Sequence, residues 1–328
     1  MNADALSREV MSLLALRESA EVPGWAAKRL QALLGASQAR TLRVFPISAM
    51  RLKEALPAGS TLAVAADEDA DSLRPVEANT DLCRTIEERR PVCERAHNGA
   101  SRLLFPLATA DDVRYVVEIV GGADLAANAV AASLVPVVGR YYERMVDAET
   151  DPLTRLANRR AFYPQIASGL KRWLKGQRAF FLAMADIDLF KQVNDRFGHL
   201  YGDEILIHFA RLMRKTFRAG DLLYRFGGEE FVAVFAVDNE GHGVTPLERF
   251  RKATAEYDFP KIGCVTVSIG FTHIDSATTP VTTLVDHADQ AVYYAKSHGR
   301  NRVCAYEDLV ASGALAGDKS AASEATLF

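Results

Sequence analysis

The 328 residues have 49% hydrophobic and 25% charged side chains, a soluble globular balance with room for about two domains. A formal net charge of −3, from 39 Lys+Arg against 42 Asp+Glu, excludes a chain that coats nucleic acid polymers or anionic membranes by bulk charge. Cys83, Cys93, Cys264 and Cys304 show no metal-ligand spacing. No run approaches the ~18 apolar residues that span a bilayer, so the expectation is a cytoplasmic protein with reduced thiols and no membrane span.

Residues 1–39 read as amphipathic helices. Leu6, Val10, Leu13 and Leu14 form one stripe, Trp25, Leu30, Leu33 and Leu34 another, with Pro23 and Gly24 expected to break them. Residues 40–122 change to short β-like runs. Strands are expected at 41–45 and 61–65 with a helix-like piece between, a helix at 81–88, and a hairpin of 101–107 with 114–120 around Asp111-Asp112. Residues 123–150 read as a linking helix that Pro136 should kink.

A second domain is expected over residues 151–308, and a disordered tail over 309–328. Its apolar strand runs fall at 179–185, 222–226, 231–237 and 265–271. Ile205, Leu206, Phe209, Leu212 and Met213 lie at helical spacing, as do Leu284, Val285, Ala288, Ala291, Val292 and Ala295. Strands interleaved with helices predict an α+β sheet with helices on one face.

Chemistry concentrates at two strand ends. Gly227-Gly228-Glu229-Glu230 joins two apolar strands, the paired glycines expected to supply positive φ and the acids sitting at the tip. Alone, this is an ordinary solvated turn. The strand ending Ala185-Asp186-Ile187-Asp188 places two more carboxylates at the mouth of the sheet, and Asp186 is expected beside Glu229. Clustered carboxylate oxygens suit Mg²⁺ where phosphates complete its shell, and two-metal sites drive in-line displacement at phosphorus. The residues therefore point to phosphoryl or nucleotidyl transfer.

With these motifs come Asp151-Pro152-Leu153-Thr154, Asn158-Arg159-Arg160, Phe190-Lys191, Asn194-Asp195, Gly198-His199, Gly202-Asp203, Val267-Ser268-Ile269-Gly270 and Gly299-Arg300-Asn301, in order. Together they resemble a GGDEF domain, the catalytic domain of diguanylate cyclases. The resemblance implies a palm-like (ferredoxin/nucleotidyl-cyclase-like) fold that condenses two GTP into cyclic di-GMP and two pyrophosphates in a homodimer. It implies that Asp186, the carbonyl of Ile187 and Glu229 hold Mg²⁺, with Mn²⁺ a possible substitute. It implies that Glu229 or Glu230 helps remove the ribose 3′ proton. Lys191, Lys296 and Arg300 would meet the triphosphate, Asn194 and Asp203 the guanine, and His199 another part of the substrate.

A carboxylate at Asp203 accepts from guanine N1–H and its 2-amino group, donors that adenine lacks, so GTP is expected over ATP. Arg218-Ala219-Gly220-Asp221, five residues before Gly227, has the spacing of the family's product-inhibition site. Arg249 is in doubt as its second arginine, because the stretch between 237 and 265 looks short. Residues 40–122 resemble a GAF-type sensory domain, a PAS-like one staying open, with an unknown ligand or none. The linking helix would pair with its copy and join this GAF-like α/β domain to the cyclase. The alternative is a non-catalytic receptor for cyclic di-GMP.

Overall fold

The computed structural model describes residues 3–46, 62–66, 69–76, 80–95, 100–109, 113–121, 125, 129–173, 178–218 and 220–316. The chain divides into two compact units, Met1–Thr150 and Asp151–Phe328. The helix-like piece expected between the first two strands, and Asp111-Asp112, lie outside the described residues.

The first unit opens with α1 (Ala3–Leu14) and α2 (Glu21–Leu34). The break between them falls before Pro23 and Gly24, which sit in the first turn of α2. There a missing N–H costs nothing, so proline starts this helix instead of ending one. Then come β1 (Gln38–Pro46), β2 (Leu62–Ala66), β3 (Asp69–Pro75), α3 (Asp81–Glu88), β4 (Val92–Arg95), β5 (Ser101–Ala108), β6 (Val113–Gly121) and α4 (Ala129–Glu149). The six strands form one antiparallel sheet ordered β3-β2-β1-β6-β5-β4.

Period-two alternation sorts its faces. Leu103, Phe105, Leu107, Val117 and Ile119 pack with Leu13, Leu30, Leu134, Val138 and Tyr142 of α1, α2 and α4. Leu42, Val44, Leu104 and Val116 pack with Leu82 and Ile86 of α3. Helices α1 and α2 and the helix expected as a linker thus share one core with the sheet. Tyr142 is buried in this core, with Tyr141 half-buried beside it, and α4 runs through Pro136 as one element.

The second unit contains β7 (Ala157–Asn158), α5 (Arg159–Trp173), β8 (Ala179–Ile187), α6 (Phe190–Phe197), α7 (His199–Thr216), β9 (Leu222–Arg225), β10 (Glu230–Val237), α8 (Val244–Ala255), β11 (Val267–Ile274), α9 (Val281–Ser297), β12 (Val303–Ala305) and α10 (Tyr306–Ala311). Its sheet runs β12-β11-β8-β10-β9-β7, with β8 antiparallel to β10 and β11.

Helices cover both faces, not one. Phe209 and Met213 of α7 and Phe250 of α8 pack on Ala183, Ala185, Phe231 and Phe235. Phe162 and Ile166 of α5 and Leu284, Ala288 and Val292 of α9 pack on Leu182, Met184, Val232 and Val234. The reason is in the strands, whose central residues are apolar without alternation and so are buried on both sides. Burying Phe209 alone contributes about 2 kcal/mol. At Gly270 a Cβ would lie 2.2 Å from the Ala288 carbonyl oxygen, so α9 crosses β11 where only glycine fits. The chain is helical through Ala311, past the expected start of the tail at residue 309, because Tyr306 and Leu309 pack on Ala291 of α9.

Candidate active site

The carboxyl end of β8 is the centre of the site. Register pairs Asp186 with Glu230 on β10 and with Ser268 on β11, so these three lie on the face covered by α9. Glu229, in the turn, is held by its carbonyl, which accepts from Ile187 N at 3.4 Å. From the last turn of α9, Lys296 Nζ reaches to 2.6 Å from Asp186 Oδ2.

Asp186 is only 6% exposed, and its Oδ1 is buried with no hydrogen-bond partner. Burial pushes its carboxyl up to about 6. Lys296 opposes that rise, while Glu229 and Glu230 add to it. The Glu229 carboxyl is also raised, first by burial and then by Glu230, against the pull of Lys296. A buried oxygen without a partner is costly unless a cation or donor joins it. The donor set of Asp186, Glu229 and the Ile187 carbonyl is all oxygen, which fits a hard divalent cation. Among the described residues no group of three or more His, Cys, Asp or Glu side chains is placed to hold a metal ion.

Neither Gly227 nor Gly228 has positive φ, contrary to the expectation for the hairpin. Their value is space. A Cβ on Gly227 would lie 2.2 Å from Glu230 Oε2, so the missing side chain makes room for that carboxylate. Nothing lies within 4 Å of a Cβ on Gly228, which leaves the tip open. Phe226 N and Gly227 N both donate to the Glu230 carbonyl, closing the turn at 2.8 and 3.2 Å.

Helices α6 and α7 follow β8 and pack against each other. A Cβ on Gly202 would fall 2.0 Å from Asn194 Oδ1, so glycine at this position lets the Asn194 side chain lie against α7 one residue from Asp203. Asn194 is half-buried, while Lys191, His199, Asp203 and Arg300 are exposed. The two candidate guanine readers are therefore brought together.

Arg218 and Asp221 form a closed turn. Arg218 N donates to Asp221 Oδ2 at 2.8 Å and Asp221 N donates to the Arg218 carbonyl at 3.0 Å. Burial raises the Asp221 carboxyl to about 6, partly offset by the Arg218 backbone bond and charge. Arg249, the doubtful arginine, donates to the carbonyl of Thr216, the residue two before Arg218.

Sequence reasoning missed Arg225. Its Nη1 donates to both oxygens of Asp151, at 3.1 and 3.2 Å, and its Nη2 to the Gly228 carbonyl at 2.8 Å. Burial raises the Asp151 carboxyl, but bonds from Thr154 and Arg225 outweigh this and hold it below the usual carboxylate range. The start of the domain is thereby tied to the tip of the hairpin. The available signal was an arginine just before paired glycines.

Residues 148–302 match the family described as Diguanylate cyclase, GGDEF domain. Diguanylate cyclase DgcM of Escherichia coli K12 is 37% identical over 158 residues, covering 48% of this chain and 38% of the relative. Diguanylate cyclase DgcP of Pseudomonas aeruginosa is 40% identical over 159 residues, covering 48% and 24%. The chain thus spans well under two thirds of either relative. The solved GGDEF domain of DgcB from Caulobacter crescentus, in complex with c-di-GMP, is 34% identical, covering 49% of this chain and 97% of that one, with a TM-score of 0.46.

Proposed function

We propose that this chain, whose residues 148–302 match the GGDEF diguanylate cyclase family, condenses two GTP into cyclic di-GMP and two pyrophosphates. The observation that carries this reading is Asp186, buried with an unpartnered oxygen between Lys296 and the Glu229-Glu230 hairpin.

In this reading Asp186, the Ile187 carbonyl and Glu229 hold Mg²⁺, or Mn²⁺ in its place. Bound there, the cation supplies charge neutralisation at the α-phosphate and lowers the pKa of the attacking hydroxyl. Lys191, Lys296 and Arg300 orient the triphosphate, and Asn194 and Asp203 grip the guanine edge. His199, exposed at the start of α7, reaches another part of the substrate. Glu229 or Glu230 accepts the 3′ proton. Burial and the charge of Glu230 raise the basicity of the Glu229 carboxyl, against the pull of Lys296, which suits that task.

Each domain offers one nucleotide site, whereas the reaction joins two nucleotides twice. A homodimer of facing sites meets that demand. The Arg218–Asp221 turn, exposed at its arginine, is the proposed site of product inhibition. The first unit is proposed as a GAF-like sensory domain that controls pairing. Its support is a six-stranded antiparallel sheet with helices on both faces, and it takes an unknown ligand or none.

Incubating the full chain with GTP and Mg²⁺ and separating products by chromatography tests the reading. Cyclic di-GMP is expected from GTP and no cyclic product from ATP. Absence of product at high protein concentration, with Arg218→Ala in place to relieve inhibition, would sink it.

A further inference from the structure

Asp188 follows Asp186 by two residues, is equally buried at 5% exposure, and has no place in the mechanism above. Its surroundings differ from those of Asp186 in one respect. Every contact is a donor. Ser268 Oγ donates to Oδ1 at 2.7 Å, while Thr266 Oγ1 and the backbone N of Asn301 donate to Oδ2 at 2.6 and 3.0 Å. Its own N–H donates to the Thr266 carbonyl at 2.9 Å, which fixes the residue to the end of β11.

The bond from Asn301 reaches the turn between α9 and β12. There Gly299, Arg300 and Asn301 have φ of 107°, 60° and 44°, three successive residues in the left-handed region. Two of them carry side chains and are strained in that conformation. Such a turn persists only where its surroundings hold it. Arg300 N donates to the Ala295 carbonyl at 2.9 Å, Arg251 Nη1 to Asn301 Oδ1 at 2.8 Å, and Asp188 takes the Asn301 N–H. Of these anchors, the carboxylate is the buried, charged one, and a charge-assisted bond is roughly twice as strong as a neutral one.

We propose that Asp188 is a positioning residue, not a cation ligand. It clamps the Gly299–Asn301 turn so that Arg300, and Lys296 at the end of α9, are presented together to the nucleotide's phosphates. The substrate named here rests on the cyclase reading; the clamp itself does not. A second cation-binding carboxylate would need lone pairs free of fixed donors, and the Asn301 N–H cannot turn away as a hydroxyl can.

The test compares the full-length chain with its Asp188→Ala and Asp188→Asn variants by hydrogen exchange at residues 299–302, GTP affinity, and the Mg²⁺ concentration for half-maximal turnover. Asparagine keeps a carbonyl oxygen for the Asn301 N–H, and the Ser268 hydroxyl can rotate to accept from its amide. Alanine keeps neither. The expected result for alanine is about tenfold faster exchange in the turn and about tenfold weaker GTP binding, at an unchanged Mg²⁺ requirement. Asparagine should bring both back to within about threefold of the parent chain.

Asparagine failing as badly as alanine, with a raised Mg²⁺ requirement, would make Asp188 a cation ligand and overturn the proposal. Unchanged exchange and affinity in alanine would overturn it too. Should alanine fail to fold, asparagine decides alone, since a cation-ligand role predicts its failure with a raised Mg²⁺ requirement and a clamp predicts its recovery. A parent chain that binds no GTP would instead count against the cyclase reading, with the exchange comparison still deciding on the clamp.

Discussion

Glu118 in the first unit and Asp186 in the second are both buried on the face of a central sheet, and the two are treated in opposite ways. Glu118 of β6, 4% exposed, lies between Arg40 of β1 and Arg102 of β5. Arg102 Nε donates to its Oε1 at 2.6 Å and Arg40 Nε to its Oε2. Burial pushes the Glu118 carboxyl up, but the bonds and charges of the two arginines outweigh it and hold it below the ordinary range. Asp186 of β8 has one lysine, two glutamate neighbours and a bare oxygen, and its carboxyl stands at about 6. The first arrangement is finished within the chain. The second is satisfied only by something added, which is how a binding site differs from a structural ion pair of equal burial.

Neutralising each carboxylate breaks the comparison most directly. On the proposed function Asp186→Asn removes a cation ligand, and it should cut cyclic di-GMP synthesis by at least about 10²-fold. In the metal-free protein the same change should stabilise the second unit by about 1 kcal/mol, because a buried, crowded charge disappears. Glu118→Gln should do the reverse, destabilising the first unit by about 2 kcal/mol in urea unfolding, because two arginines lose their counter-ion. Asp186→Asn lowering the melting temperature as much as Glu118→Gln would show that both are structural.

The difference was only half legible in the sequence. Asp186 and the Glu229-Glu230 pair stood out because acids at the ends of apolar strands have few structural uses. Glu118 passed unnoticed as one residue of an apolar run, since its partners Arg40 and Arg102 come from the two neighbouring strands of the sheet, 78 and 16 residues away in the chain. The strand runs of the second unit were readable because each is continuous and apolar. That same continuity concealed a helix layer on each face, which one strand's pattern does not distinguish from one layer. Arg225 was hidden for a similar reason, as its carboxylate partner Asp151 lies 74 residues away. Gly227 was noticed for its flexibility, whereas it serves by lacking a Cβ against Glu230, a fact of side-chain placement that local sequence does not carry.

Acidity sharpens the contrast. The native Asp186 carboxyl, at about 6 against an ordinary 3.8, binds a proton that the unfolded chain has released across that interval, and Asp221 does the same. Stability from these two groups is therefore complete below 3.8 and lost as pH rises through about 6. Glu118 and Asp151, held below their ordinary values, contribute stability present above those values and lost as pH falls through the native ones. The metal-free protein should thus melt lower at pH 7 than at pH 5, by an Asp186 share of about 1 kcal/mol. Asp186→Asn should reduce that slope by its share, leaving the part due to Asp221, and Glu118→Gln should leave it unchanged. A slope untouched by Asp186→Asn would assign the titration elsewhere.

The smallest effect expected lies in the hairpin glycines. Were they needed for positive φ, alanine at either would strain the turn and unfold it to a similar degree. The geometry says otherwise. Alanine at Gly228 meets nothing within 4 Å, so its stability should match the parent within about 0.5 kcal/mol. Alanine at Gly227 meets the Glu230 carboxylate at 2.2 Å, the free end of a flexible side chain that can swing aside. Its cost in stability should stay near 1 kcal/mol, while turnover falls because Glu230 has left its place opposite Asp186. Thermal melts of the two variants, read beside GTP turnover, separate the accounts. If Gly228→Ala proves the more destabilising, the glycines act through the backbone, and the room made for Glu230 is incidental.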